Sequence, residues 1–188
     1  MKKPLNYQVC EYDCGKVSLE NAFSFLFERE EIPSEIIKLI SSYTLDCYDE
    51  YGNPGGGGTS KVAMKLFSDR LNEYAKARKF PVFSKHLINE DVNTALIYTS
   101  LKYKGIVLLR TRLGCEHYIL ITKMDQNYIY AWDPYYLENE QKNIEVIIDE
   151  QFLYNRKIPK EYFSNNTDEN FTIGKQDQRE CLIMYRIN

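Results

Sequence analysis

Between Gly15 and about Glu30 the apolar residues Leu19, Ala22, Phe23 and Leu26 recur at the spacing of one helix face, and Asp13 stands where an N-cap belongs. The same period returns at Ile36, Ile37, Leu39 and Ile40, which predicts a second helix from Pro33-Ser34 to about Tyr43. The stretch from Gly52 to Gly58 has the composition of a flexible loop, after which Thr59 or Ser60 caps a third helix running to roughly Lys79. A fourth helix is expected over Asp91 to Lys102.

From Gly105 onward the period changes. Ile106 to Leu109, Tyr118 to Thr122, Tyr128 to Trp132 and Ile144 to Ile148 are short apolar or alternating runs bounded by polar and turn residues, as strands are. A polar stretch from about Asn155 to Gln178 separates them from a last alternating run, Cys181 to Ile187. Helices first and antiparallel strands second make an α+β arrangement: a helical part over about 1–104 packed on a sheet part over about 105–188, in one domain spanning 1–188.

Composition narrows the function classes. With 24 Lys+Arg against 27 Asp+Glu and a formal charge of -3, the chain has no basic field to draw nucleic acid or anionic lipid, so neither is an expected partner. The apolar runs are too short to cross a bilayer, and Met1-Lys2-Lys3 is followed by no apolar signal core, so no membrane insertion is expected. Five Cys without a scaffold rhythm fit a reducing compartment, and a cytoplasmic location is expected.

The candidate chemistry begins at Gln8-Val9-Cys10-Glu11-Tyr12-Asp13-Cys14-Gly15. A Cys in the first turn of a helix faces unpaired backbone N–H groups and the positive end of the helix dipole, an environment that suits a thiolate. The Gln8 amide is placed to donate to an oxyanion beside it. A nucleophile needs a base, and the sequence holds two His. His86 falls in a run read as a loop with no acid beside it. His117 opens a strand, and a hairpin centred on Asp125 sets it directly opposite Asp133, about 4.5–5.5 Å apart at Cβ. On that face Ile119, Ile121, Ala131 and Ile129 follow, which would bury the hairpin against the helices.

With these residues in hand, the chain resembles the papain-like cysteine peptidases that cleave bacteriocin leader peptides after a double glycine. The likeness rests on Gln8, Asp13-Cys14-Gly15, the helix continuing through Ser18-Leu19, His117, and the Asp133-Pro134 one hairpin later, covering roughly residues 5–135. It implies a papain-like fold, with Cys14 as nucleophile, His117 as base and then acid, Asp133 as its orienter and Gln8 as oxyanion donor together with the Cys14 N–H. The substrate would be a peptide or amide, and no cofactor or metal is called for. Family members usually form the N-terminal part of a peptide-exporting transporter, whereas this chain has no membrane-spanning or nucleotide-binding segment. Its Cys14–His117 interval is also longer than the family's, so the resemblance carries the chemistry and not the cleavage site. Two alternatives share the fold: an acyltransferase in which an amine opens the thioester, and a peptide-binding domain without turnover.

Other constellations carry less. Cys10, Cys14, Cys115 and His117 could in principle surround zinc, but Cys115 and His117 lie nearly 7 Å apart along a strand and Glu11-Tyr12-Asp13 is no zinc knuckle. The glycine run lacks the Gly-Lys-Thr/Ser ending of a phosphate loop, since Thr59 and Ser60 precede Lys61. Trp132, Tyr128 and Tyr130 are read as core.

Overall fold

The four helical periods and the strand runs become one sheet with helices on both faces. In the computed structural model, which describes residues 1–187, α1 (Cys14–Leu26), α2 (Ser34–Tyr43) and α3 (Lys61–Arg78) precede β1 (Val82–Ile88) and α4 (Thr94–Lys102). There follow β2 (Gly105–Leu113), β3 (Cys115–Met124), β4 (Tyr128–Trp132), β5 (Glu145–Val146), β6 (Arg156–Pro159), α5 (Lys160–Phe163) and β7 (Glu180–Arg186). Among the described residues seven strands form an antiparallel sheet in the order β1-β7-β2-β3-β4-β6-β5. The last strand thus returns to the interior of the sheet, between β1 and β2. The fold is α+β.

Alternation along the strands divides the core in two. Ile106, Leu108, Tyr118, Leu120, Trp132, Leu182 and Met184 meet α1, α2 and α3 through Leu19, Phe23, Ile36, Ile40, Met64 and Phe67. Val107, Leu109, Ile119, Ile121, Ile129, Ala131 and Ile183 meet Ile97 of α4 and the later residues Phe163, Phe171 and Ile173. Because both faces are covered, the run Ile106 to Leu109 is buried at every position. Each such aliphatic side chain contributes roughly 1.5–3 kcal/mol.

This corrects two expectations. The face carrying Ile119, Ile121, Ile129 and Ala131 packs on α4 and the C-terminal segment, not on the first three helices, which take Tyr118, Leu120 and Trp132 instead. Both alternating sets are apolar, so alternation alone could not choose between them. The helical part also contains a strand. Residues 83–87, read as a loop, lie in β1, whose Phe83 is exposed while Ser84 is buried. What holds β1 is pairing with β7 and a polar clamp, in which Ser84 N donates to Asn72 Oδ1 (2.9 Å) and Asn72 Nδ2 to Ser84 O (2.8 Å).

Boundaries shift where capping chemistry decides. The fourth helix starts at Thr94 because Asn93 Oδ1 accepts from Leu96 N (2.9 Å), and α3 starts after Ser60, whose hydroxyl accepts from Ala63 N (3.1 Å). α1 ends at Leu26, short of Glu30, and Asp13 occupies its N-cap position without a side-chain cap bond. The glycine stretch is an ordered turn rather than a free loop. Gly57 N donates to Cys47 O, Cys47 N to Gly58 O (both 3.2 Å) and Gly58 N to Gly55 O (3.0 Å). The expected strand Ile144 to Ile148 is reduced to Glu145–Val146, and β6 arises in a stretch read only as polar.

Candidate active site

Cys14 is the first residue of α1 and is 8% exposed. The turn before it holds Tyr12 at φ 66, a left-handed conformation that costs a residue with a Cβ roughly 1–2 kcal/mol. The residue after it is a glycine because a Cβ there would lie 3.0 Å from Cβ and Oγ1 of Thr59 and 3.2 Å from Met64 Cε. Gly15 therefore lets the start of α1 press against the segment leading into α3. Cys14 and residues 57–60 become neighbours as a result.

His117 stands near the start of β3. β4 pairs with β3 only from Leu120 to Met124, so beside His117 the β3 edge has no β4 partner. The hairpin is not centred as the sequence suggests. A bulge between Ile121 and Lys123 sets Leu120 against Trp132 and Ile121 against Ala131, so Asp133 continues toward Ile119 and meets His117 on the diagonal. That offset is two residues, which preserves the face, whereas a slip of one would have turned the acid away. His117 Nε2 and Asp133 Oδ1 are 2.7 Å apart. Cys14 lies close enough to the same imidazole to add to the upward pull on its pKa. Burial on its own lowers an imidazole pKa, but the Asp133 and Cys14 interactions outweigh it and raise that of His117 from 6.5 to about 9.

Asp133 is fully buried, and its second oxygen is taken by a residue the sequence reading did not single out. Arg156, also fully buried, reaches Asp133 Oδ2 with Nε (3.1 Å) and Nη2 (3.0 Å). The same guanidinium donates to Asn155 O (2.9 Å) and Tyr135 O (2.7 Å). Asn155 brackets the Asp133 backbone, accepting from its N–H (2.7 Å) and donating to its carbonyl (2.8 Å), and Tyr135 N donates to Oδ1 (2.8 Å). A buried carboxylate requires such partners. The alternation of Tyr154, Arg156 and Ile158 was the available signal for β6, but nothing local said which strand it joins.

Gln8 is anchored by its backbone N–H on Pro134 O (2.8 Å), next to Asp133. Its Nε2 donates to Cys10 O (3.0 Å), and Oε1 is buried without a partner. An amide nitrogen carries two hydrogens, so the Cys10 bond leaves one for a ligand. Trp132, expected in the core, is buried there and donates from Nε1 to Asn6 O (3.0 Å), whereas Tyr128 and Tyr130 are half-buried beneath Lys157 and Lys123. Among the described residues no three His, Cys, Asp or Glu side chains gather to hold a metal ion, so Cys10, Cys14, Cys115 and His117 form no ligand set.

His86, read as a solvated loop residue without an acid, sits in β1 with Nε2 2.9 Å from Oε1 of buried Glu180. Glu180 is supplied by β7, distant in sequence, which is why the pairing was invisible. Its Oε2 accepts from Tyr118 OH (3.0 Å), with Arg110 Nε 3.8 Å away. Arg110 also pairs with the exposed Glu116. Arg110, Glu116 and Tyr118 form one wall of a cavity of about 350 Å³ that opens beside Cys14. The opposite wall is Tyr12 and residues 57–62.

No family model matches the chain, and no curated protein matches it. Among solved structures, a C39-like peptidase from Bacillus anthracis superposes with a TM-score of 0.50 at 15% identity, covering 97% of this chain and 94% of that one. That likeness covers nearly all of the chain and establishes a papain-like, peptidase-type fold. Among the described residues no helix is long and apolar enough to cross a membrane.

Proposed function

We propose that the chain is a cysteine peptidase or amidase that works through a thioester on Cys14. One juxtaposition carries the reading: an imidazole shared between a thiol at a helix N-terminus and a fully buried carboxylate that Arg156 and Asn155 hold in place. With Nε2 committed to Asp133, the Nδ1 of His117 serves Cys14. His117 takes the Cys14 thiol proton as the sulfur attacks the substrate carbonyl carbon, and the carbonyl oxygen becomes an anion that the Cys14 N–H and the free Gln8 Nε2 hydrogen receive. Collapse of this adduct breaks the C–N bond, and His117 gives its proton to the departing amine. Water then adds to the thioester while His117 takes its proton. The C–S bond breaks, and the products are a carboxylic acid and the regenerated thiol. A His117 pKa near 9 keeps the proton-bearing form available at neutral pH.

Brief iodoacetamide treatment followed by peptide mass mapping tests the reading. Cys10 and Cys115 are exposed, Cys47 is intermediate, and Cys14 and Cys181 are buried. Accessibility alone would thus label Cys10 and Cys115 first. Activation by His117 reverses that order and puts Cys14 first. Cys181, whose pKa burial pushes up to about 12, is labelled last. Labelling that follows exposure would overturn the proposal. Replacing Cys14 by Ala is expected to abolish turnover while leaving the urea unfolding midpoint within experimental scatter.

A further inference from the structure

The cavity beside Cys14 has no use in the chemistry above, and its walls indicate what enters it. Building on the proposed thioester reaction, we propose that it is a specificity pocket for an uncharged, bulky apolar or aromatic side chain on the acyl side of the scissile bond. A double glycine, by contrast, has nothing to fill about 350 Å³.

The acyl side follows from the proton path. The departing amine must lie beside His117, which protonates it. Neither His117 nor Gln8 lines the cavity, which extends from Cys14 toward Gly57, Gly58, Val62, Arg110 and Tyr118. The side chain it accommodates therefore belongs to the half of the substrate that stays on sulfur.

The chemical class follows from how the charges are spent. The Arg110 guanidinium is neutralised at the rim by Glu116, and its unpartnered Nε is buried, 3.8 Å from Glu180, rather than at the cavity surface. Lys61 directs its ammonium to Gln178 O at 2.7 Å. No free charge remains to receive an ionised side chain, whose desolvation would go uncompensated. The other walls are the Tyr118 and Tyr12 rings, the Val62 side chain, glycine backbone, the Cys47 thiol, and Thr59 and Ser60, whose hydroxyls are already bonded to Leu45 N and Asp46. Tyr12 and Val62 are 48% and 68% exposed, so apolar surface is left uncovered at the mouth. Pockets of this size with apolar walls and few polar groups are the usual form of a side-chain or small-ligand site.

The test uses acetyl-dipeptide chloromethyl ketones in which Gly, Ala, Leu, Phe, Asp or Lys occupies either position, reading the rate of single alkylation at Cys14 by intact mass and peptide mapping. Leu or Phe at one of the two positions should react at least about tenfold faster than Gly, and Asp and Lys no faster than Gly. Val62→Asp, on an exposed helix position, should reduce the Phe rate several-fold more than the Gly rate. Equal rates across the panel, or a preference for Asp or Lys, would overturn the pocket while Cys14 still reacts first with iodoacetamide. Failure of Cys14 to react first with iodoacetamide would instead remove the proposed function itself.

Discussion

Replacing Arg156 by Met keeps the aliphatic volume and deletes the guanidinium that meets Asp133 Oδ2 at 3.1 and 3.0 Å. It also removes the donors to Asn155 O and Tyr135 O. Both charged residues are fully buried, so water cannot take over these roles without local opening. Breaking a buried pair by removing one partner costs about 3–5 kcal/mol, because the remaining charge is left under-compensated. For Asp133, His117 Nε2 and Tyr135 N remain as partners, which puts the expectation near 3 kcal/mol. With total stability of about 5–15 kcal/mol the variant still folds. At a urea slope of about 2 kcal/mol/M its unfolding midpoint drops by roughly 1.5 M. Arg156→Lys recovers less than half of the loss, since an ammonium is a point donor and cannot span the guanidinium's partners. The cycle with Asp133→Leu supplies the decisive comparison: the double variant should be more stable than Arg156→Met alone, with a coupling of at least about 2 kcal/mol. A loss below about 1 kcal/mol, or no coupling, would refute the buried clamp and with it the account of how Asp133 is aimed at His117.

The raised His117 pKa has a definite sign in pH dependence. Its stabilising contribution is complete below 6.5 and is lost as pH rises through about 9, roughly 3 kcal/mol in all. Urea unfolding of wild type and His117→Gln should therefore differ by that much more at pH 6 than at pH 10, and a gap independent of pH would contradict it. The kcat/KM profile should fall on an alkaline limb with a midpoint near 9, as the proton that His117 gives to the leaving amine disappears. Gln8→Ala should lower kcat about 10²-fold with little change in the unfolding midpoint, because its amide makes one protein hydrogen bond, to Cys10 O. Gly15→Val should cost about 1–3 kcal/mol by forcing α1 away from Thr59, measured as a lowered urea midpoint together with slower Cys14 alkylation.

Much of the site was legible because its signals are local. The helix after Cys14 shows in Leu19, Ala22 and Phe23, and a hairpin of plain alternation brings His117 and Asp133 together. That pairing survived an incorrect register only because the bulge after Ile121 moved an offset of three residues at the turn to an even offset of two at Asp133. Other elements were illegible for a common reason. β1 and β6 lack a strong apolar period and exist because β7 and β4 offer them an edge, so their strand character is a property of the partner.

The sequence by itself determined the order of the main helices and strands and four residue types suited to acyl transfer, since helix period, capping and hairpin reach act over a few residues. Only the tertiary structure decided which sheet face meets α1. It also brought Arg156 to Asp133, Glu180 to His86, and the glycine turn to Cys14. These are contacts between segments far apart in the chain, and nothing in a local pattern encodes which distant edge, charge or wall will meet it. The candidate residues Gln8, Cys14, His117 and Asp133 were thus readable, while the clamp on Asp133 and the cavity beside Cys14 required the folded chain.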